Sequence, residues 1–341
     1  MRETAAQSRP SANRKGDKTV TKHDRLTART ALATVLAAGC VALVPATASA
    51  QDSEACQDVN FSDVGWTDIT ATTAVTSVVL EALGYAPNAE ILSVPVTYAS
   101  LRNGDIDVFL GNWMPTMEAD IAPYREDGSV ETVRANLEGA KYTLAVPQYT
   151  FDAGLQSFQD IAAFADELDS EIYGIEPGND GNRLIQDMID ADTFGLGGFE
   201  LVESSEQGML SQVARAVQNE EPIVFLGWEP HPMNANFDMA YLSGGDDIFG
   251  PDFGGATVYT NIRAGYLEEC PNVGQLLQNL VFSLALENQV MAMILDDGED
   301  PEDAAAAWLT ANPEVLDGWL EGVTTFAGEP GLPAVQAALG L

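Results

Sequence analysis

Beyond its first 50 residues, this chain of 341 has one lysine, Lys141, one histidine, His231, and two cysteines, Cys56 and Cys270. Basic residues as a whole are scarce: residues 51–341 carry seven against 49 acids, a formal charge of −42. Such a surface repels nucleic acid and anionic membrane, which argues against both as partners. Most of the acids read as a solvated face suited to high salt, where screening relieves self-repulsion. A lone histidine set between Pro230 and Pro232 reads as structural, and no Gly-x-Ser-x-Gly elbow supplies a nucleophile. Carboxylates are plentiful enough for a glycosidase pair, yet nothing marks two of them out. The stretch Gly178-Asn179-Asp180-Gly181 lacks dinucleotide-loop spacing and a nearby lysine, and Glu176 and Asp180 would repel an anion. Asn179 there caps a helix or reaches into a cleft.

Long apolar runs are missing as well. Ala31 to Pro45 is shorter than the roughly 20 residues a membrane-crossing helix needs. Eight basic residues precede or begin that run and Ala48-Ser49-Ala50 follows it, so residues 1–50 read as a Sec-type signal peptide removed on export to the periplasm. Leu36 to Cys40 looks faintly like a lipoprotein box, but Cys40 lies inside the apolar run with the cleavage site still ahead. Export leaves Cys56 and Cys270, and an even pair in an exported protein reads as a disulfide. No metal loop is expected: Gly298 sits wrongly for calcium in the Asp296–Asp303 run, which reads instead as Asp300 capping a helix begun by Pro301.

What the chain does have is tryptophan in telling places. Asp107-Val108-Phe109-Leu110 reads as a buried strand that Gly111 breaks, and Pro115 keeps Trp113 out of ordinary sheet or helix. Trp113 is therefore expected just past a strand's carboxyl end, where open α/β sheets bind ligands. Ile223-Val224-Phe225-Leu226-Gly227-Trp228-Glu229-Pro230 repeats the pattern, and Trp66 follows a third short strand. Large aromatics exposed at three such edges suggest two lobes sharing an aromatic cage, with simple packing as the plainer alternative. Trp308 and Trp319, on helices with apolar neighbours, read as core.

In order, Val59–Ser62 is expected as strand, then a helix from about Asp68 to Leu83 ended by Gly84, and Ile91–Val96 as strand. A helix at Tyr98–Asn103 and the Trp113 strand complete a β-α-β-α-β run, the opening of a doubly wound lobe. Lys141–Pro147 reads as a strand crossing to a second lobe. Phe158–Leu168 is read as helix, Glu171–Ile175 as strand and Arg183–Ile189 as helix. Glu200–Glu203 then reads as strand, Glu206–Asn219 as helix and Pro222–Trp228 as strand. After Pro232 the chain is expected to return through a strand at Ala256–Ile262 and four helices from Pro271.

Faces of Trp66, Trp113, Tyr142 and Trp228 suit a quaternary ammonium, which donates no hydrogen bond and is drawn to π clouds. With Gly65-Trp66-Thr67-Asp68, Gly111-Asn112-Trp113-Met114-Pro115, Lys141-Tyr142-Thr143, Pro177-Gly178-Asn179-Asp180-Gly181 and Gly227-Trp228-Glu229-Pro230-His231, the chain resembles the substrate-binding proteins of quaternary-amine ABC importers, the choline-binding type most nearly. That resemblance implies a two-lobed α/β periplasmic binding-protein fold (type II), each lobe a doubly wound sheet flanked by helices. Lobe A would take residues 51–138 and 236–341, and lobe B residues 139–235. It implies Trp66, Trp113, Tyr142 and Trp228 as the cage, Asp68 and Asn179 at the ligand's polar end, and Cys56–Cys270 as the family's disulfide. No cofactor or metal is implied, and the partners would be choline, a membrane permease and its ATPase, with the protein a monomer. An ionised Asp68 favours choline over glycine betaine, and acetylcholine stays open as a further ligand. The alternatives are a betaine- or carnitine-preferring binding protein and, from another class, a choline-ester hydrolase, whose activated nucleophile the sequence does not show.

Overall fold

In a computed structural model of the chain, residues 51–341 are described; the expected signal peptide, residues 1–50, lies outside the described residues. Nine strands follow one another: β1 (Asp58–Asp63), β2 (Ala86–Ile91), β3 (Val108–Met114), β4 (Val130–Pro147), β5 (Glu171–Tyr173), β6 (Glu200–Val202), β7 (Phe225–Glu229), β8 (Met239–Tyr241) and β9 (Gly255–Arg263). They form one ladder in the order β2-β1-β3-β9-β4-β7-β5-β6, with β8 beside β4. Parallel pairs gather at its two ends, β2-β1-β3 at one and β7-β5-β6 at the other. The 18-residue β4 joins them: Val130–Lys141 runs antiparallel to β9, and Lys141–Ala145 antiparallel to β7. After Pro232 the chain first lays β8 against Ala145–Pro147 and only then reaches β3 through β9.

Helix α1 (Thr67–Ala82) has nine β-branched residues among sixteen, a weak helix former by composition. Tertiary packing makes it stable. Twelve of its residues are buried, and it lies against the helices Leu284–Leu295 and Pro301–Ala311. Two of its inward threonines are satisfied within the helix, since the Thr72 and Thr76 hydroxyls donate to the carbonyls four residues earlier. Gly84, at φ +91°, turns the chain out of the helix. Cys56 and Cys270 form the expected disulfide, tying the first described turn to the helix Pro271–Asn279.

Several boundaries differ from expectation for identifiable reasons. Ile91–Val96 is not a strand: β2 ends at Ile91, and helix α2 (Val94–Asn103) begins with Pro95 in its first turn. A proline whose missing N–H costs nothing there outweighs the apolar β-branched run. Gly111 does not break its strand. It carries β3 through an irregularity between Phe109 and Asn112 to Trp113 and Met114. A Cβ on Gly111 would stand 2.7 Å from Ile69 of α1, so the glycine permits close helix–strand approach. Phe158–Phe164 is a 3-10 segment in place of a longer α-helix, and β7 starts at Phe225, three residues past Pro222. Beyond Pro271 there are five helices where four were expected, the extra one being the short Val315–Trp319. Asp300 accepts from the Glu302 N–H at 3.0 Å and caps the Pro301 helix, as the run of acids suggested.

Candidate functional site

Trp66, Asp68, Trp113, Tyr142, Asn179 and Trp228 line a single cavity, with Ile175 and Asp180 completing the wall. Trp66 and Asp68 enter from the start of α1, Trp113 from the end of β3, Tyr142 from the middle of β4 and Trp228 from β7. Asn179 caps the helix Asp180–Asp190, its side chain accepting from the Asn182 N–H at 3.0 Å. The same oxygen accepts from the Tyr142 hydroxyl at 2.8 Å, which fixes one ring of the wall. Gly181 makes room for that phenol, because a Cβ there would overlap its oxygen. Ring centroids lie 6.1 Å apart for Trp113 and Tyr142 and 6.3 Å for Tyr142 and Trp228, each pair edge-to-face. The faces are thus turned to enclose a space, not stacked on one another.

The tryptophans are not exposed at loop edges, as the sequence pattern suggested. Trp66, Trp113 and Trp228 are 5%, 3% and 3% exposed. Burial brings hydrogen-bond obligations that the two indoles nearest α1 meet: Trp66 donates to Glu176 Oε1 at 2.8 Å and Trp113 to Asp68 Oδ2 at 3.1 Å. Trp228 Nε1 has no partner. Trp308 and Trp319 are buried elsewhere, donating to Gln289 and to the Val281 carbonyl.

Charge is the second feature of the cavity. Its wall includes two carboxyls and no basic side chain. Burial, with Glu206 nearby, raises the Asp68 carboxyl to about 8, against which the Trp113 indole pulls down only in part. Burial likewise lifts Asp180 to about 6 and Glu176, behind Trp66, to about 7. Glu287, fully enclosed beside Asp68, is pushed well above the ordinary carboxyl range by burial. Burial thus draws Asp68 in the protein by itself toward its protonated form, where the sequence reading takes it as ionised. One oxygen of Asp68 and one of Asp180 are buried without a partner. Unmet acceptors and proton-holding acids are what a cation entering the cavity would relieve.

Asp180, Ile175 and Glu176 were not named as site residues from sequence. Their signal was adjacency: Ile175 and Glu176 precede the Pro177–Gly181 turn and Asp180 lies within it, and the charges of Glu176 and Asp180 had been used only to exclude an anion. His231 is structural in its bonding, accepting the Met233 N–H at Nδ1 (2.9 Å) and facing Glu206 Oε1 through Nε2 (3.1 Å). Among the described residues, no group of three or more His, Cys, Asp or Glu is placed to hold a metal ion.

The chain belongs to the family of substrate-binding domains of ABC-type glycine betaine transport systems, whose model matches residues 57–311. Within that class it is most informatively similar to a solved ABC-transporter choline-binding protein in complex with choline. The two are 69% identical with a TM-score of 0.84, over 85% of this chain and 100% of the other. An unliganded semi-closed structure of an ABC-transporter choline-binding protein matches at 70% identity and TM-score 0.79, over 84% and 100% of the chains. Lactococcal OpuAC, closed on glycine betaine, matches at 25% identity and TM-score 0.70, over 77% and 98%. These likenesses, with the sheet described above, define the two-lobed periplasmic binding-protein fold. Among curated proteins, an uncharacterized protein of Chromohalobacter salexigens is 59% identical over 143 residues, 42% of this chain and 90% of its own. The glycine betaine/carnitine transport binding protein GbuC of Listeria monocytogenes is 29% identical over 164 residues, 48% of this chain and 53% of its own.

Proposed function

We propose that this protein captures choline for an ABC importer, holding the trimethylammonium among Trp66, Trp113, Tyr142 and Trp228 and the hydroxyl end near Asp68 and Asn179. One observation carries this reading: four aromatic rings and an unpartnered Asp68 oxygen line one cavity that offers no basic side chain. Each desolvated ring face contributes roughly 0.5–2 kcal/mol to a cation, so four contribute about 2–8 kcal/mol, the upper end of which corresponds to micromolar binding. The lobes that close on it are residues 51–138 with 236–341, and residues 139–235. The partners are a membrane permease and its ATPase, and the place of work is the periplasm, with the protein a monomer. The ester-hydrolase alternative has less support: both ring nitrogens of His231 are engaged by protein groups, which does not favour that histidine as a general base.

A second reading has its own support. A protonated Asp68 could donate to the carboxylate of glycine betaine, the ligand in the family's description. Isothermal titration with choline, acetylcholine, glycine betaine and carnitine near pH 8 separates the two. Choline should bind tenfold or more tightly than betaine, and Trp66→Ala, Trp113→Ala or Trp228→Ala should each cost about 1–3 kcal/mol of choline binding. Trp308→Ala and Trp319→Ala should lower the melting temperature and spare affinity. Betaine binding more tightly than choline would overturn the choline assignment.

A further inference from the structure

Helix α1 lacks a cap of its own. Its N-cap residue is Trp66, whose side chain makes no capping hydrogen bond. The missing acceptor comes from 139 residues away: Glu206 Oε2 takes the Thr67 backbone N–H at 2.8 Å, and Glu206 Oε1 takes the Thr67 hydroxyl at 2.6 Å. Glu206 is 2% exposed and lies in the first turn of the helix Glu206–Asn219, which Ser205 already caps. Its carboxylate is therefore free of duty to its own helix and faces the positive end of another. A third donor completes the arrangement. Because His231 Nδ1 accepts the Met233 N–H, the ring proton sits on Nε2 and points to Glu206 Oε1 at 3.1 Å. The His231 ring in turn packs edge-on to Trp228, 4.8 Å between centroids. A continuous chain of contacts thus runs from Trp228 through His231 and Glu206 to Thr67, the residue between Trp66 and Asp68.

We propose that Glu206 is a positioning residue of the ligand site, a helix cap supplied across the cavity that holds Trp66 and Asp68 in register with Trp228. The proposal rests on the ligand reading above only for its effect on choline. Trp66 and Asp68 begin α1, and an uncapped first turn frays. Glu206 ties that turn to the strand end bearing Trp228, so the two sides of the cavity are set together and released together. The acids that feel its charge are Asp63, Asp68 and Glu176, whose carboxyls it pushes upward, and His231 faces it from the Pro230–Pro232 turn.

The test uses the whole purified protein, with Glu206→Ala, Glu206→Gln and Thr67→Val beside the exposed-acid control Glu200→Gln. Hydrogen exchange of the segment 64–72 is read without ligand, and choline affinity is read from pH 6 to 9. Loss of the cap in Glu206→Ala should speed exchange of that segment about 5–30-fold, with choline affinity falling by a similar factor. Glu206→Gln, which removes the charge, should move the pH midpoint of choline affinity downward, a change that a merely structural role would not produce. Thr67→Val deletes only the hydroxyl's bond and should show a smaller loss of the same kind. Unchanged exchange in Glu206→Ala would overturn the proposal. If that variant does not fold, unchanged exchange and affinity in Thr67→Val would do the same. The exchange arm needs no ligand, so failure of choline to bind the unmutated protein would sink the ligand reading while leaving the cap to be judged by itself.

Discussion

Asp68 is the residue at which burial, aromatic enclosure and ligand charge meet. Its carboxyl rises from an ordinary 3.8 to about 8, chiefly through loss of water and secondarily through Glu206. The sign of the consequence follows from linkage. The folded protein holds this proton over a range where the unfolded chain has lost it, so Asp68 contributes stability at low pH that is lost as pH rises from about 4 to 8. A cation in the cavity favours the ionised form and expels the proton. Choline affinity should therefore rise between pH 6 and 8, by at most about tenfold per unit, and level off above. Betaine should move the opposite way, because its carboxylate prefers the protonated acid. Asp68→Asn, which cannot titrate, should flatten this part of both profiles. Calorimetry in two buffers of different ionisation heat would measure the released proton directly. A choline affinity level from pH 6 to 9, with no proton release, would remove Asp68 from this role.

At the scale of elements, α1 and β3 form the joint on which the cavity depends. Gly111 lies where Ile69 of α1 crosses the strand, with Trp113 two residues on and Asp68 one residue back along the helix. Gly111→Ala would press a methyl to within 2.7 Å of Ile69 and 2.9 Å of Phe109. Overpacking of that kind costs about 1–3 kcal/mol, or a melting temperature lower by roughly 2–10 °C. Adding Ile69→Ala should recover part of the loss, since the two sites share one contact. A Gly111→Ala protein as stable as the parent would show that the joint yields easily. This joint also marks the boundary of what the sequence disclosed. The Val-Phe-Leu-Gly pattern was legible as buried strand, and Trp113 and Trp228 as paired features, because apolar runs and aromatic placement are local. That Gly111 continues a strand was not legible, because its reason is Ile69, forty-two residues away and on another element. Pro95 was read within a strand, because the apolar β-branched run around it outweighed its place in the first turn of α2. Glu206 was hidden for the same reason as Gly111, since a partner on another element leaves no trace in local spacing, whereas Asp180 stood in plain sight beside Asn179.

Over the whole molecule the decisive quantity is uncompensated charge. Residues 51–341 carry −42, and the basic residues do little to offset it. Among the described residues, Arg125 pairs with Glu118, Lys141 with Glu229, Arg183 with Asp120, and Arg263 with Asp107 and Glu269. Most of the acids have no cationic neighbour, and some of the buried ones at the cavity, Asp68 and Glu287 above all, avoid the problem by keeping protons. Those on the surface cannot. Folding gathers them onto a smaller area, so their mutual repulsion opposes the compact state and salt relieves it. Screening length falls from about 30 Å at 0.01 M to about 3 Å at 1 M, which spans the distances between neighbouring surface acids. The melting temperature should accordingly climb markedly between those two salt concentrations. The cavity should respond differently, because its charges are enclosed by rings and screened far less, and choline affinity should weaken only slightly over the same range. Thermal melts and titrations of one preparation across the series would check both. A flat melting temperature would mean that the surface acids are compensated locally, and a steep loss of choline affinity would mean that the ligand meets them before it meets the rings.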